Sequence, residues 1–191
     1  MTTAIFGGTF NPIHSAHLAM ARLAADRCAL DRVLFIPAGH PPHKEAATPY
    51  EDRYRMVELA CAVDPRFEAS RLEEGNAKSY SIHTIERVQA AMSPARTGTL
   101  YFIIGADAFE EITTWYRWRD VIAAVEFIVV ARPGHAIEPP SHARVHRLDD
   151  IALPVSSSEI RRALARGEVP EELPATVAEY IRAHGLYRER A

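Results

Sequence analysis

The sequence predicts an α/β fold: a Rossmann-like, doubly wound, mainly parallel sheet with helices on both faces and a small helical part at the C-terminus. Three observations predict it. Short apolar, β-branched runs alternate with longer segments of helical period. Two runs, Leu100–Gly105 (LYFIIG) and Val125–Ala131 (VEFIVVA), are apolar almost throughout, as strands covered on both faces are. A Gly-Gly turn follows the first run and opens the first helical segment, where doubly wound sheets bind their ligands.

Taken in order, Ala4–Gly7 reads as the first strand and Ser15–Leu30 as a helix, with Leu18, Ala21, Leu23 and Ala25 among its apolar positions. Arg32–Pro37 (RVLFIP) is a second strand stopped by proline, and Ala38–Tyr50 is a loop rich in Pro, Gly and His. Glu51–Val63 is a helix, Phe67–Ser70 a short strand, and Ser79–Met92 a third helix. After the two central strands and a Pro-rich connection comes a weaker strand near Val145–Leu148. Ser156–Arg166 is a helix marked at both ends: Ser156 and Glu159 have capping-box spacing, and Gly167 can stop it. Pro174–His184 is the last helix, stopped by Gly185. No repeat or linker interrupts this order. Residues 1–191 read as one domain, with 156–191 as its C-terminal helical part.

The chain of 191 residues is 48% hydrophobic and 25% charged with a net charge of −3, an ordinary soluble composition with no excess of cations for long stretches of nucleic acid. No run approaches the roughly 20 apolar residues that span a bilayer, and the N-terminus lacks the basic and apolar regions of a signal peptide. Cys28 and Cys61 fall inside predicted helices without metal spacing. They read as buried free thiols in a reducing compartment, and the expected location is the cytoplasm. Whether the chain is a monomer or a homo-oligomer is left open.

The first chemical motif is Gly7-Gly8-Thr9-Phe10-Asn11-Pro12-Ile13-His14-Ser15-Ala16-His17. Glycines after a strand allow close approach of a ligand, and backbone N–H groups at a helix start point at phosphate oxygens. His14 and His17, three residues apart, share one face of a helical turn and can donate to a polyphosphate. A zinc pair is the alternative, without a convincing third ligand. The second motif, Ser156-Ser157-Ser158-Glu159-Ile160-Arg161, offers hydroxyls and free N–H groups at a helix start. Arg161 follows one turn later with its fork of donors. An ordinary cap with a solvated arginine is the plain alternative.

Together these stretches resemble the two signatures of the nucleotidyltransferase superfamily, G-x-F-x-P-x-H-x-G-H and I-S-S-T-x-I-R. Ala16 stands where the family has glycine, and Ser158 where it has threonine. Across nearly the whole chain the resemblance is closest to the bacterial nicotinate mononucleotide adenylyltransferases. Pro41-Pro42-His43-Lys44, Ser79-Tyr80-Ser81-Ile82-His83-Thr84, Ile104-Gly105-Ala106-Asp107 and Thr114-Trp115-Tyr116 carry it. Ser81 and His83 replace the family's threonine and aspartate.

The resemblance implies transfer of AMP from ATP to the 5′-phosphate of nicotinate mononucleotide, with Mg2+ carried by ATP and no metal held by protein ligands. His14, His17, Lys44 and Arg161 are the implied catalytic residues. Gly7, Gly8, Thr9, Phe10, Gly105, Asp107, Ser157 and Ser158 would bind ATP. Asn11, Lys44, Ser79, Tyr80, Thr84, Trp115, Tyr116 and Arg132 would bind the nicotinate nucleotide, with Trp118 a packing residue. Two alternatives stay open: another acceptor (nicotinamide mononucleotide or phosphopantetheine), and a nucleotide-binding regulator without catalysis.

Overall fold

A computed structural model describes residues 1–40, 48–75, 78–92, 98–132, 134, 136–149 and 155–188. Its elements are β1 (Thr3–Gly8), α1 (Ser15–Arg27), β2 (Arg32–Pro37), α2 (Tyr50–Cys61), β3 (Phe67–Ala69), α3 (Ser81–Ala91), β4 (Leu100–Gly105), α4 (Ala106–Glu110), a 3-10 turn at Ile112–Thr114, α5 (Trp118–Ala124), β5 (Glu126–Val130), β6 (Val145–Leu148), α6 (Ser157–Ala165) and α7 (Ala175–His184). The strands form one sheet in the order β3-β2-β1-β4-β5-β6, and every neighbouring pair is parallel.

Alternation along the strands divides the core. Ala4, Phe6, Val33, Phe35, Ile103 and Ile128 pack with side chains of α1, α2, α6 and α7 on one face. Ile5, Leu34, Ile36, Phe102, Ile104, Phe127 and Val129 pack with α3, α4 and α5 on the other. Burial on both faces is why the strands read as unbroken apolar runs. The C-terminal helices belong to this core: Ile160, Leu164, Val177 and Ile181 are all buried in it.

The sheet reverses its winding between β1 and β4, and there the ladder opens. β1 pairs with β2 as far as Gly8–Pro37, and β4 with β5 as far as Gly105–Val130. The β1–β4 register stops at Ile5–Phe102. The carboxyl ends of these two strands therefore diverge into a crevice at the topological switch point.

The differences from expectation lie at helix ends and in one missed stretch. α1 stops at Arg27, short of Leu30, because Ala29 turns left-handed (φ 48°) and the Leu30 N–H returns to the Ala25 carbonyl, closing a Schellman-type end. Cys28 is accordingly outside the helix and only half-buried, while Cys61 is buried. Residues 106–124 hold two short helices and a 3-10 turn that no periodicity announced. Each is too short to repeat a pattern, yet together they bury Phe109, Ile112, Val121 and Ile122.

Candidate functional site

Two cavities open at the crevice. The first, of about 310 Å3, is lined by His14, Ala16, His17, Gly105, Asp107, Arg132, Ser156 and Ser157, among others. The second, of about 250 Å3, is lined by Gly7, Gly8, Thr9, Glu73, Ser79, Thr84, Gly105, Trp115 and neighbours, so Gly7, Gly8 and Thr9, expected at ATP, stand in the wall of this cavity and not with the histidines. Gly105, at the end of β4, borders both.

The histidines are built by the β1–α1 turn. His14 is extended (φ −148°, ψ 173°) and is the residue before the helix, so the pair does not share a helical turn as the spacing suggested. Instead their rings touch with centroids 3.8 Å apart and planes tilted by 36°. The His14 N–H donates to His17 Nδ1 at 3.2 Å. An accepting Nδ1 puts the proton of neutral His17 on Nε2, which is thereby a donor. Burial pushes His14 down to about 4, against a smaller upward pull from Glu172. Burial, helped by His14, also holds His17 well below the usual histidine range. In the free protein both imidazoles are therefore neutral, each with one N–H to donate. His14 Nδ1 is buried without a partner among the described residues.

The turn between β1 and α1 is folded tightly. Phe10 adopts a left-handed conformation (φ 47°), unfavourable for a residue with a Cβ. Its ring compensates by packing edge-on to Phe6 and His17 at 5.7 and 5.1 Å. A Cβ on Gly8 would stand 3.0 Å from that ring, which is why glycine fits there. Phe10 thus supports the loop from inside the core (2% exposed) and lines neither cavity.

The C-terminal cluster meets this turn as the two motifs require. Ser156 and Glu159 form the expected capping box: the Glu159 N–H donates to Ser156 Oγ, and the Ser156 N–H to Glu159 Oε2. Ser157 Oγ donates to the Pro12 carbonyl at 3.1 Å. Arg161 donates from Nη1 to the Asn11 carbonyl at 2.7 Å and from Nη2 to Ser158 Oγ at 3.2 Å. Arg161 and Ser158 therefore brace the turn, while Ser156 and Ser157 face the first cavity.

The expected acceptor residues do not all meet in one place. Ser79, Thr84 and Trp115 line the second cavity, with Trp115 edge-on to Phe102 at 6.0 Å. Tyr80 and Tyr116 pair beside it at 4.6 Å, with His83 against both, and Tyr116 is exposed. Arg132 stands in the first cavity, with the histidines, and not with Trp115. Asn11 lines neither: its carbonyl takes Arg161 and its Oδ1 accepts from the Tyr187 hydroxyl at 2.6 Å. Trp118 packs against the second core face, as a structural residue should. Lys44 lies outside the described residues.

Three residues of the site escaped sequence reasoning. Arg53, 2% exposed, donates to the carbonyls of Thr9, Gly39 and Thr48 at 2.9, 3.4 and 3.2 Å. Its signal was an arginine on the apolar face of α2, in step with Met56, Val57 and Ala60. Tyr187, just past α7, ties the chain end to Asn11, and nothing in its neighbourhood marks it in sequence. Glu73 is buried in the wall of the second cavity, with Thr84 Oγ1 and the Gly39 N–H donating to its carboxylate.

Comparisons with known proteins bear on the fold and the family. The cytidylyltransferase-like family profile matches residues 5–163. A protein of Solibacter usitatus named "Probable nicotinate-nucleotide adenylyltransferase" is 62% identical over 189 residues, covering 98% of this chain and all of that protein. One of the same name from Thermus thermophilus is 40% identical over 190 residues, again covering 98% of this chain and all of that one. In structure, the Plasmodium falciparum nicotinic acid mononucleotide adenylyltransferase complexed with NaAD superposes with a TM-score of 0.81 at 19% identity, over 97% of each chain. A structure titled "The Crystal Structure of a Putative Nicotinate-nucleotide Adenylyltransferase from Vibrio parahaemolyticus" gives 0.72 at 22%, over 100% of this chain and 98% of that one. At such identities the structural likeness bears on the fold. The profile match and the full-length sequence relatives show that this chain belongs to the cytidylyltransferase-like family and, within it, to the nicotinate-nucleotide adenylyltransferases.

Proposed function

We propose that the first cavity holds ATP, that the second holds nicotinate mononucleotide, and that the two react across Gly105. The single observation that carries this reading is the pair of chemically different cavities sharing one border at the switch point. One presents imidazoles, hydroxyls and a helix N-terminus; the other presents an indole and small polar side chains. A polyphosphate suits the first and a flat ring the second.

An oxygen of the acceptor's 5′-phosphate bonds to the α-phosphorus of ATP, and the bond from that phosphorus to the bridging oxygen breaks. Pyrophosphate leaves, and nicotinate adenine dinucleotide remains. The attacking phosphate is already anionic near neutral pH, so no enzyme nucleophile is required. Catalysis then rests on positioning and on donors aimed at developing charge. His17 Nε2–H and the N–H groups ahead of α6 are the donors for the triphosphate. His14 orients His17 through its backbone N–H. Negative charge brought by the nucleotide raises both imidazoles and draws protons onto them. Lys44 and a guanidinium, Arg132 or a released Arg161, add charge.

Mg2+ bound to the triphosphate would neutralise part of its charge. Among the described lining residues of the first cavity, Asp107 is the one carboxylate. That donor set suits an ion carried by phosphate oxygens and water rather than by a protein cage. Among the described residues no helix is long and apolar enough to cross a membrane. The free thiols support a cytoplasmic setting.

The test is pyrophosphate release from ATP and Mg2+ with nicotinate mononucleotide, nicotinamide mononucleotide or phosphopantetheine as acceptor. The nicotinate acceptor should give the highest kcat/KM. Preference for either other acceptor would reassign the substrate, and ATP binding without release for any of them would make the protein a nucleotide sensor. A chiral α-phosphorothioate of ATP should react with inversion, since retention requires a covalent enzyme intermediate.

A further inference from the structure

The second cavity contains a carboxylate that the reaction above does not use. Glu73 follows β3, is 6% exposed, and lines the cavity with Thr84, Ser79 and Trp115. Among the described residues its carboxylate has two neutral partners: the Thr84 hydroxyl on Oε1 and the Gly39 N–H on Oε2, at 3.4 Å. The buried cation nearest in the network, Arg53, donates to the Gly39 carbonyl at 3.4 Å and interacts electrostatically with Glu73 across that residue. Gly39 is thus gripped by an anion at its N–H and a cation at its C=O. A Cβ there would meet the Glu73 carbonyl oxygen at 2.2 Å.

Scaffolding alone does not call for a charge. A glutamine at 73 could accept the same two hydrogen bonds without the cost of burying an anion. A carboxylate has about four acceptor positions; the Thr84 hydroxyl and the Gly39 N–H fill two, and Arg53 acts on it through charge without a hydrogen bond to it among the described residues, which leaves acceptor positions unfilled in a cavity wall. The ring of the acceptor supplies what is missing. Its nitrogen is bonded to ribose, so the ring is a pyridinium with a fixed positive charge. An indole and a carboxylate in the wall of one cavity are the chemistry that holds a flat cation.

Resting on the reading that the second cavity takes the pyridine nucleotide, we propose that Glu73 is a specificity-determining residue, the counter-charge that selects a cationic ring. Thr84 and Gly39 orient it. The neutral face of the same cavity, at Ser79 and the α3 N-terminus, is left for the ring's substituent.

The experiment compares two acceptors on the wild type and on Glu73→Gln. One is nicotinate mononucleotide; the other is its isostere with a 3-carboxyphenyl ring joined through carbon to ribose 5-phosphate, planar but uncharged. The wild type should favour the cationic acceptor in KM by about tenfold or more, the scale of one lost charge pair. Glu73→Gln should bring the two KM values to within about twofold of each other by weakening only the cationic one, leaving the KM for ATP in place. Equal losses on both acceptors would make Glu73 a scaffold for Gly39 and overturn the proposal. So would a wild type indifferent to ring charge, which needs no folded variant to observe. Glu73→Asp, which keeps the charge, should retain part of the preference. Failure of the wild type to turn over nicotinate mononucleotide at all is a different result, and strikes the assigned reaction instead.

Discussion

At the scale of single residues, the histidine pair shows how burial decides chemistry. A solvated His14 would be half-charged near pH 6.5; in the β1–α1 turn it is pushed down to about 4. The linkage follows in sign. Between pH 6.5 and 4 the unfolded chain takes up a proton that the folded chain refuses, so stability falls as pH falls through that window and levels off below it. A shift of this size corresponds to about 3 kcal/mol at most. Urea midpoints at pH 7, 5 and 4 should decline for the wild type, with a shallower decline for His14→Gln; equal slopes would remove His14 as the source. His17 has the separate task of donating from Nε2. His17→Ala should lower kcat by about 10²-fold, the scale of one lost transition-state donor. Steady-state kinetics at saturating substrates measures it, and unchanged turnover excludes His17 from the chemistry.

At the scale of elements, α2 and α6 do unlike work through their ends and faces. α2 carries a guanidinium where its pattern calls for an apolar side chain, and three loop carbonyls depend on it. Arg53→Met matches the volume and removes every donor. It should cost about 3 kcal/mol, the range for stranding buried partners of a charge. Denaturant titration gives the number, and Arg53→Lys should restore little of it, because one ammonium cannot reproduce the fork. A loss under about 0.5 kcal/mol would mean that the Thr9, Gly39 and Thr48 carbonyls find water instead. α6 is simpler. Ser156→Ala removes its capping oxygen and should cost about 1 kcal/mol. Because Ser156 also faces the first cavity, the KM for ATP should rise while that for the acceptor holds.

At the scale of the whole molecule, the sheet and the crevice were legible because both follow from periodicities and glycine turns that act locally. Strand runs at 32–37, 100–105 and 145–148 coincide with β2, β4 and β6, and His14, His17, Ser156 and Ser157 line one cavity, while Ser158 and Arg161 of the same motif stay with the turn. What stayed hidden depends on contacts between distant parts of the chain. Asn11 reads as a ligand residue, yet its two oxygens are taken by Arg161 and Tyr187, side chains 150 and 176 positions away. Arg132 reads as an acceptor contact, but which side of Gly105 it reaches is set by how β5 sits beside β4. The Asn11 turn is therefore the place where both ends of the chain are joined, and the joint can be measured. Tyr187→Phe removes one tie and Arg161→Met the other; each alone should cost about 1 kcal/mol or somewhat more. If the turn is held by both together, the first loss loosens it and makes the second cheaper, so the double variant should fall short of the sum by at least about 0.5 kcal/mol. Denaturation of the four proteins at one pH closes the cycle. Strict additivity would mean that Asn11 keeps its position with either partner gone, and that the crevice owes its shape to the sheet alone.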